Sequence, residues 1–215
     1  MINYSYSLHK LHYFLRRYSL FLLLILISLV VGIITGSISV KVLSYQQKEV
    51  LVNYIDDLSG EVKRLVAKRQ FLFREVLFTN LKSVVLLWFL GISLIGIIFI
   101  PLIIFFRGFI LGFTVGFLVD EMFFKGLLLA LIAIFPQNLF ILTALLLGSL
   151  FCLVFAFKLS IRLFGQNESN NNFSTVIINY SFLMSTSAIL LVIAAVIEAY
   201  LTPVLISLFT KFLGT

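Results

Sequence analysis

Three carboxylates, Asp120, Glu121 and Glu198, lie within or beside long apolar runs of this chain. Ionisable side chains at membrane depth are costly and rare, so each is a candidate functional group. If Asp120 and Glu121 lie at the level of the lipid headgroups, they are ordinary loop charges. We expect Glu198 to accept hydrogen bonds from the backbone or from Gln137 and Asn138, which would lock a helical bundle. A proton or ion pathway is the other interpretation of Glu198.

The residue sets that hydrolytic or redox catalysis requires do not occur in the apolar part of the sequence. Both histidines, His9 and His12, lie in the N-terminal tail, so an HExxH zinc site or a histidine-based nucleophile system cannot be placed in the membrane. The sequence contains no GxxxxGK[ST] phosphate loop and no GxSxG nucleophile turn. We therefore expect no catalytic residues, no cofactor, no metal site and no enzymatic activity.

The stretch from Phe105 to Asn138 is the part around which the other elements are organised. Gly108, Gly112 and Gly116 recur every four residues, so on a helix they share one face that carries no side chains. Such a face lets a second helix backbone approach closely, and we predict that neighbouring helices enclose it. The residues predicted to have packing or structural roles are Gly108, Gly112, Gly116, Pro136, Gln137, Asn138, Glu198 and Pro203.

The composition indicates a membrane protein. Hydrophobic residues make up 61% of the chain and charged residues 12%, whereas soluble domains carry about 25% charged residues. Several uncharged runs have the roughly 20 residues that a helix needs to cross a bilayer. The predicted fold class is an all-α polytopic membrane protein with about five transmembrane helices, a short or broken helix around residues 108–135 and an amphipathic external helix over 45–78.

The predicted segments alternate between tails or loops and membrane spans. In order, they are a cytoplasmic tail (1–18), a first span (19–40), an amphipathic extracytoplasmic loop (41–82), a second span (84–106), a third segment (108–135), a fourth span (137–157), a polar loop (158–175), a fifth span (176–198) and an interfacial C-terminal segment (199–215). The third segment is either a short span or a re-entrant helical hairpin. Gly32 and Gly36 form a second small-residue pair, and the two glycine faces make a homodimer a reasonable expectation.

The loop over 41–82 is predicted to be helical and amphipathic, because apolar residues recur in it at three- and four-residue intervals. Its basic residues would contact either lipid headgroups or a partner protein. These residues are Lys63, Arg64, Lys68, Arg69 and Arg74. The net charge of +7 is assigned to contact with lipid headgroups, and no nucleic-acid partner is expected.

Charge alone leaves the orientation undecided, since the loop holds eight Lys and Arg residues and the tail holds three. We adopt the arrangement that places the tail in the cytoplasm. In a five-span path this arrangement puts Arg107, Lys158 and Arg162 on the same side as the tail.

Five sequence blocks, in this order, carry a resemblance to a known family. They are FTNLK at 78–82, WFLGISLIG at 88–96, FRGFILGFTVGFLVDEM at 106–122, FPQNL at 135–139 and IEAYLTP at 197–203. Together they resemble the stage II sporulation protein M family over nearly the whole chain. The broader family often has Pro-His where this chain has Pro136-Gln137, and Asn-Gly where it has Arg107-Gly108. Both departures favour the sporulation branch.

The resemblance implies a role in engulfment of the forespore, in the mother-cell membrane around it. It implies a scaffold that recruits two cell-wall-degrading partners, stage II sporulation proteins D and P, which act outside the cytoplasmic membrane. That location supports an external position for the loop over 41–82. The alternative function is that of a transporter or permease subunit, which short broken helices and a membrane carboxylate would also suit.

Overall fold

The computed structural model describes residues 18–53, 69–164, 173–202 and 204, and these are almost entirely helical. Five α-helices and two π-helical turns follow one another. They are α1 (Ser19–Val42), α2 (Arg69–Ile92), α3 (Gly96–Leu129), π1 (Ala130–Ile134), α4 (Phe135–Phe164), α5 (Phe173–Val196) and π2 (Ile197–Leu201). A further short helical segment covers residues 45–53. The described part of the chain has no strand, and the all-α polytopic fold class is confirmed.

Four helical stretches are long and apolar enough to cross a membrane. They are Ser19–Val42, Phe73–Ile92, Gly96–Arg162 and Ile177–Leu201. The third stretch is interrupted at Phe123, whose φ of 49° and ψ of −127° are not helical. A Cβ placed on Gly126 would clash with the carbonyl oxygen of Leu118, so the chain reverses tightly here. The third stretch therefore folds back on itself, and the described residues form five long helical arms.

The predicted segment boundaries differ from the observed helices at two places. The stretch 84–106, predicted as one span, contains a tight turn in which the Ser93 amide donates to Leu90 O and the Gly96 amide donates to Ser93 O, each at 3.1 Å. Within 108–135 the chain reverses, as the helical-hairpin alternative predicts, and Gly126 lies at the start of the returning arm. The reversal at Phe123 joins two long arms, residues 96–122 and residues 124–164, with π1 inside the second arm.

Helices α1 and α3 run parallel and pack backbone against backbone. A Cβ on Gly32 or Gly36 would clash with the carbonyl oxygen of Phe105 or Phe109, and a Cβ on Gly112 would clash with that of Ile33. In addition, Ser37 Oγ donates to Gly112 O at 3.0 Å. The two predicted glycine faces thus cover each other within one chain.

A buried group of polar atoms ties α2, α4 and α5 together. Tyr180 Oη donates to Trp88 O at 3.1 Å, Cys152 Sγ donates to Leu87 O at 3.1 Å, and the Cys152 and Tyr180 side chains are also 3.1 Å apart. The Tyr180 ring stacks on Phe155 with 4.3 Å between ring centroids. These bonds satisfy polar groups that would otherwise be exposed to hydrocarbon, so they fix the three helices at one level.

Contacts at the helix ends define two ends of the molecule. At one end Lys158 Nζ lies 5.6 Å from the centroid of the Tyr18 ring, which places Lys158 beside the start of α1. At the other end Lys48 forms an ion pair with Asp120. The end of α1 and the α3 reversal are therefore on one side of the membrane, and the beginning of α1 and Lys158 are on the other.

Candidate functional site

A polar cavity lies between α2, α3, α4 and π2. Its volume is about 370 Å³. The residues that line it are Glu75, Val76, Thr79, Asn80, Arg107, Ile110, Leu111, Thr114, Ile134, Gln137, Asn138, Ile141 and Glu198. Charged and amide side chains are unusual at membrane depth and occur where they face a cavity or one another. This cavity is the candidate functional site.

Arg107 comes from the middle of the first arm of α3. Its Cα lies about 16 Å along the helix from Gly96 and about 22 Å from Met122, at 1.5 Å per residue. Because the hydrocarbon core is about 30 Å thick, this position is close to the centre of the bilayer. The prediction placed Arg107 between two segments, on the side of the N-terminal tail, whereas the structure places it inside α3. Gly108 next to it faces α1 and Arg107 faces the cavity.

Glu198 reaches the cavity from π2. The π turn is marked by the Thr202 amide, which donates to Ile197 O five residues earlier. Glu198 and Arg107 line the same cavity and are close enough to interact electrostatically. Among the described residues the two groups form no direct ion pair, so each still has hydrogen-bonding capacity toward the cavity.

Gln137 and Asn138 follow the other π turn, π1, in which the Phe135 amide donates to Ala130 O. Gln137 Oε1 accepts a hydrogen bond from Thr202 Oγ1 at 2.9 Å, and Asn138 Nδ2 donates to Ile134 O at 2.9 Å. The expected hydrogen bonds from these amides to Glu198 are not among those of the described residues. The amides instead link α4 to the end of π2 and to the carbonyl of the preceding turn.

Both π turns have the same sequence context. Pro136 follows the last residue of π1 by two positions, and Pro203 follows the last residue of π2 by two positions. Proline lacks the amide hydrogen that an α-helix needs, and π turns occur frequently at functional sites. Pro203 itself is outside the described residues.

Asn80 of α2 is the most deeply buried polar side chain of the cavity. Its side chain is 5% exposed, and its Nδ2 has no hydrogen-bond partner in the described part of the chain. On the same helix, Thr79, which is next to Asn80, and Glu75, five residues before Asn80, are exposed. Across from them Ile110 and Thr114 of α3 are also exposed, so the cavity opens between α2 and α3. We call these four exposed residues the mouth.

The structure brings together only part of the set predicted from the sequence. Gln137, Asn138 and Glu198 line the cavity, and Pro136 lies in α4 next to Gln137. The glycines Gly108, Gly112 and Gly116 lie on the opposite face of α3, against α1. Of the basic loop residues, Arg74 is exposed on α2. Lys63, Arg64, Lys68 and the Arg69 side chain are outside what the structure describes.

The sequence interpretation did not find Arg107, Asn80, Glu75, Thr79 or Thr114 as site residues. One signal was present for Arg107, which is a single charge with long apolar runs on both sides. The residues from α2 were assigned to a loop, because that helix begins with a polar stretch. No sequence signal pairs α2 with Arg107.

Comparison with known proteins gives one finding. Residues 22–203 match the family model described as stage II sporulation protein M. No curated protein sequence and no solved structure matches the chain.

Proposed function

The chain belongs to the stage II sporulation protein M family, and we propose that it is an integral membrane scaffold for engulfment during sporulation. Family membership makes it a sporulation-related membrane protein. In the proposed role it recruits and localises extracytoplasmic peptidoglycan-degrading partners, stage II sporulation proteins D and P, in the mother-cell membrane around the forespore. The partners cut the cell wall and this chain does not.

The observation that carries this proposal is the ion pair between Lys48 and Asp120. It joins the segment that follows α1 to the end of the first arm of α3. The exposed residues Met122, Phe123 and Phe124 lie beside it, with 52%, 78% and 69% of each side chain accessible. The charged pair at the start of the loop and the exposed apolar residues of the turn therefore lie at the same end of the molecule. A surface with both charged and exposed apolar groups suits protein docking.

A rigid bundle supports such a surface. The interlocked glycines hold α1 against α3. Lys48 lies in the short helical segment after α1, and Asp120 lies near the end of the first arm of α3. A docking surface built on rigid elements loses less conformational entropy on binding than a mobile one. In the proposed role, the basic residues of the loop after α1 take part in binding the partners.

Charge reversal tests the scaffold role. Replacing Lys63, Arg64, Lys68 and Arg69 with Glu should reduce co-purification of proteins D and P from sporulating cells. Reversal at Lys158 and Arg162, which lie at the opposite end, is the control and should leave recovery unchanged. Equal recovery from the loop variant and the control would remove this loop from the interface.

A second function, that of a transporter-like subunit, is favoured by one observation, the polar cavity with Arg107 and Glu198. The test is Glu198→Gln. A scaffold with this change should still recover proteins D and P and support engulfment. A stable, correctly localised variant that recovers both partners and nevertheless fails in engulfment would favour the transporter.

A further inference from the structure

The polar cavity contains two opposite charges that do not neutralise each other directly. Arg107 and Glu198 interact electrostatically but make no ion pair in the described residues. An unpaired charge in the membrane interior is expensive unless a polar group meets it. A ligand that contacts both groups would satisfy both.

The hydrogen-bonding groups of the cavity fall into two sets. Arg107 and the unpartnered Nδ2 of Asn80 can only donate, and Asn80 is 5% exposed. Glu198 and Glu75 are carboxylates, which accept when ionised. A ligand that suits this arrangement carries an anionic group for the donors and a cationic donor for the acceptors.

The cavity does not suit a bare metal ion as a ligand. Its volume of about 370 Å³ corresponds to a dozen water molecules at roughly 30 Å³ each. A dehydrated cation needs several ligands at about 2.0–2.6 Å, and the described residues contain no group of three or more His, Cys, Asp or Glu side chains that could hold a metal ion. A compact organic group is the better match, because ligand pockets have volumes of about 300–1,000 Å³.

The position of the mouth indicates how a ligand can enter. Ile110 and Thr114 are exposed on the same face of α3 as Leu102 and Phe106, which is the side available to lipid. Glu75 and Thr79 place polar groups at the same opening. The mouth is therefore accessible from the bilayer and polar enough to admit a charged group.

We propose that the polar cavity binds a zwitterion, a compact group with an ammonium and an anionic oxygen group a few bonds apart. The anionic end contacts Arg107 and Asn80, and the ammonium contacts Glu198 and Glu75. Two sources supply this chemistry, the headgroup of an aminophospholipid and a free amino acid. Binding of such a ligand is independent of the scaffold role.

The test uses the purified full-length chain and defined probes. Native mass spectrometry measures retention of phosphatidylethanolamine and of phosphatidylglycerol, which is anionic and lacks the ammonium. Calorimetric titration measures binding of O-phosphoethanolamine and glycine. Preferential retention of phosphatidylethanolamine supports the lipid source, and binding of glycine without that preference supports the amino acid. Equal retention of both lipids with no soluble ligand bound would overturn the proposal.

Variants assign the binding to the cavity. Arg107→Gln and Glu198→Gln should each weaken binding of the preferred probe by about tenfold or more, since each leaves one charge of the ligand unpaired. The matched controls are Arg74→Gln and Glu121→Gln, which remove exposed charges that do not line the cavity. If the controls weaken binding as much as the cavity variants do, the cavity is not the site.

A steric variant covers the case in which a charge variant fails to fold. Thr114→Trp places a large side chain in the mouth and should abolish retention of the probe. Its control is Thr143→Trp, because Thr143 is also exposed and also donates to the carbonyl four residues earlier, but does not line the cavity. Unchanged binding in a folded Thr114→Trp protein would contradict entry through the mouth and the proposed site.

Discussion

The two faces of α3 are built in opposite ways. Toward α1, Gly108 and Gly112 let two backbones touch, and the interface contains no charged side chain among the described residues. Toward α2 and π2, Arg107 faces a cavity of about 370 Å³ that is also lined by two carboxylates and three amide side chains. Arg107 and Gly108 are consecutive in the sequence, so one step along the helix separates the two environments.

The difference shows how a membrane helix can be fixed on one side and open on the other. In lipid, apolar side chains gain little from packing on each other, so close backbone contact holds α1 and α3 together. The cost of Arg107 at membrane depth is met by polar groups on the other side. The rigid glycine face therefore holds Arg107 at a fixed depth, and three sets of variants test this comparison.

The largest effect is expected on the glycine face. Gly112→Leu should abolish the folded protein, because even a Cβ at this position would lie 2.7 Å from Ile33 Cα and closer to its carbonyl oxygen. Gly112→Ala should cost several kcal/mol, at or above the roughly 1–3 kcal/mol of ordinary overpacking. The measurement is thermal unfolding in detergent, monitored by size-exclusion chromatography.

Gly116→Ala is the matched control one helical turn away. A Cβ there would lie 3.1 Å from Ser37 Cα, which a small shift can relieve. Its melting temperature should fall by less than that of Gly112→Ala. Equal melting temperatures for both alanine variants would show that α1 does not enclose this face as described.

An intermediate effect is expected in the polar cavity. Arg107→Gln and Glu198→Gln should each destabilise the protein by about 1–3 kcal/mol, because each removes the electrostatic attraction across the cavity that lowers the cost of the opposite charge at membrane depth. The double variant should lose less than the sum of the single losses, with a coupling of about 0.5–3 kcal/mol. Denaturant unfolding of the unmodified protein, the two single variants and the double variant measures this coupling. Strict additivity would show that the two groups do not interact across the cavity.

The smallest effect is expected at Phe123, where the chain reverses at the end of the first arm of α3. Phe123 has a φ of 49°, which glycine adopts more easily, so Phe123→Gly should raise stability by about 0.5–1 kcal/mol. Phe124→Gly is the control, since Phe124 is similarly exposed but helical and should lose about 1 kcal/mol. Differential scanning fluorimetry of both variants is sufficient. If Phe123→Gly is as destabilising as the control, the backbone does not reverse at residue 123.

The glycine face was predictable from the sequence because its signal is local. Gly108, Gly112 and Gly116 are four residues apart, and this spacing is enough to define a face. The partner helix was not identified by spacing alone. The structure pairs this face with Gly32 and Gly36 of the same chain, a contact between segments far apart in the sequence.

The cavity was only partly predictable, because its residues depend on where the helices turn. Ser93–Gly96 carries no charge and lies inside an apolar run, so hydropathy gave no reason to place a turn there. Without this turn, the predicted second span begins at residue 84, whereas α2 begins at Arg69. Asn80 and Glu75 therefore fall in the predicted loop. Arg107 was then placed at a helix end, although it lies near the middle of α3.

The turn π1 has a consequence for which surfaces of α4 face the lipid and the bundle. Each residue of a helix advances the azimuth by about 100°, so one extra residue in a turn rotates everything after it by that amount. Without π1, Gln137 and Asn138 would point about a quarter turn away from Arg107. A single-residue deletion within 130–134 would therefore reassign the lipid-facing and inward-facing surfaces of all of α4, although it would change no residue that lines the cavity from another helix.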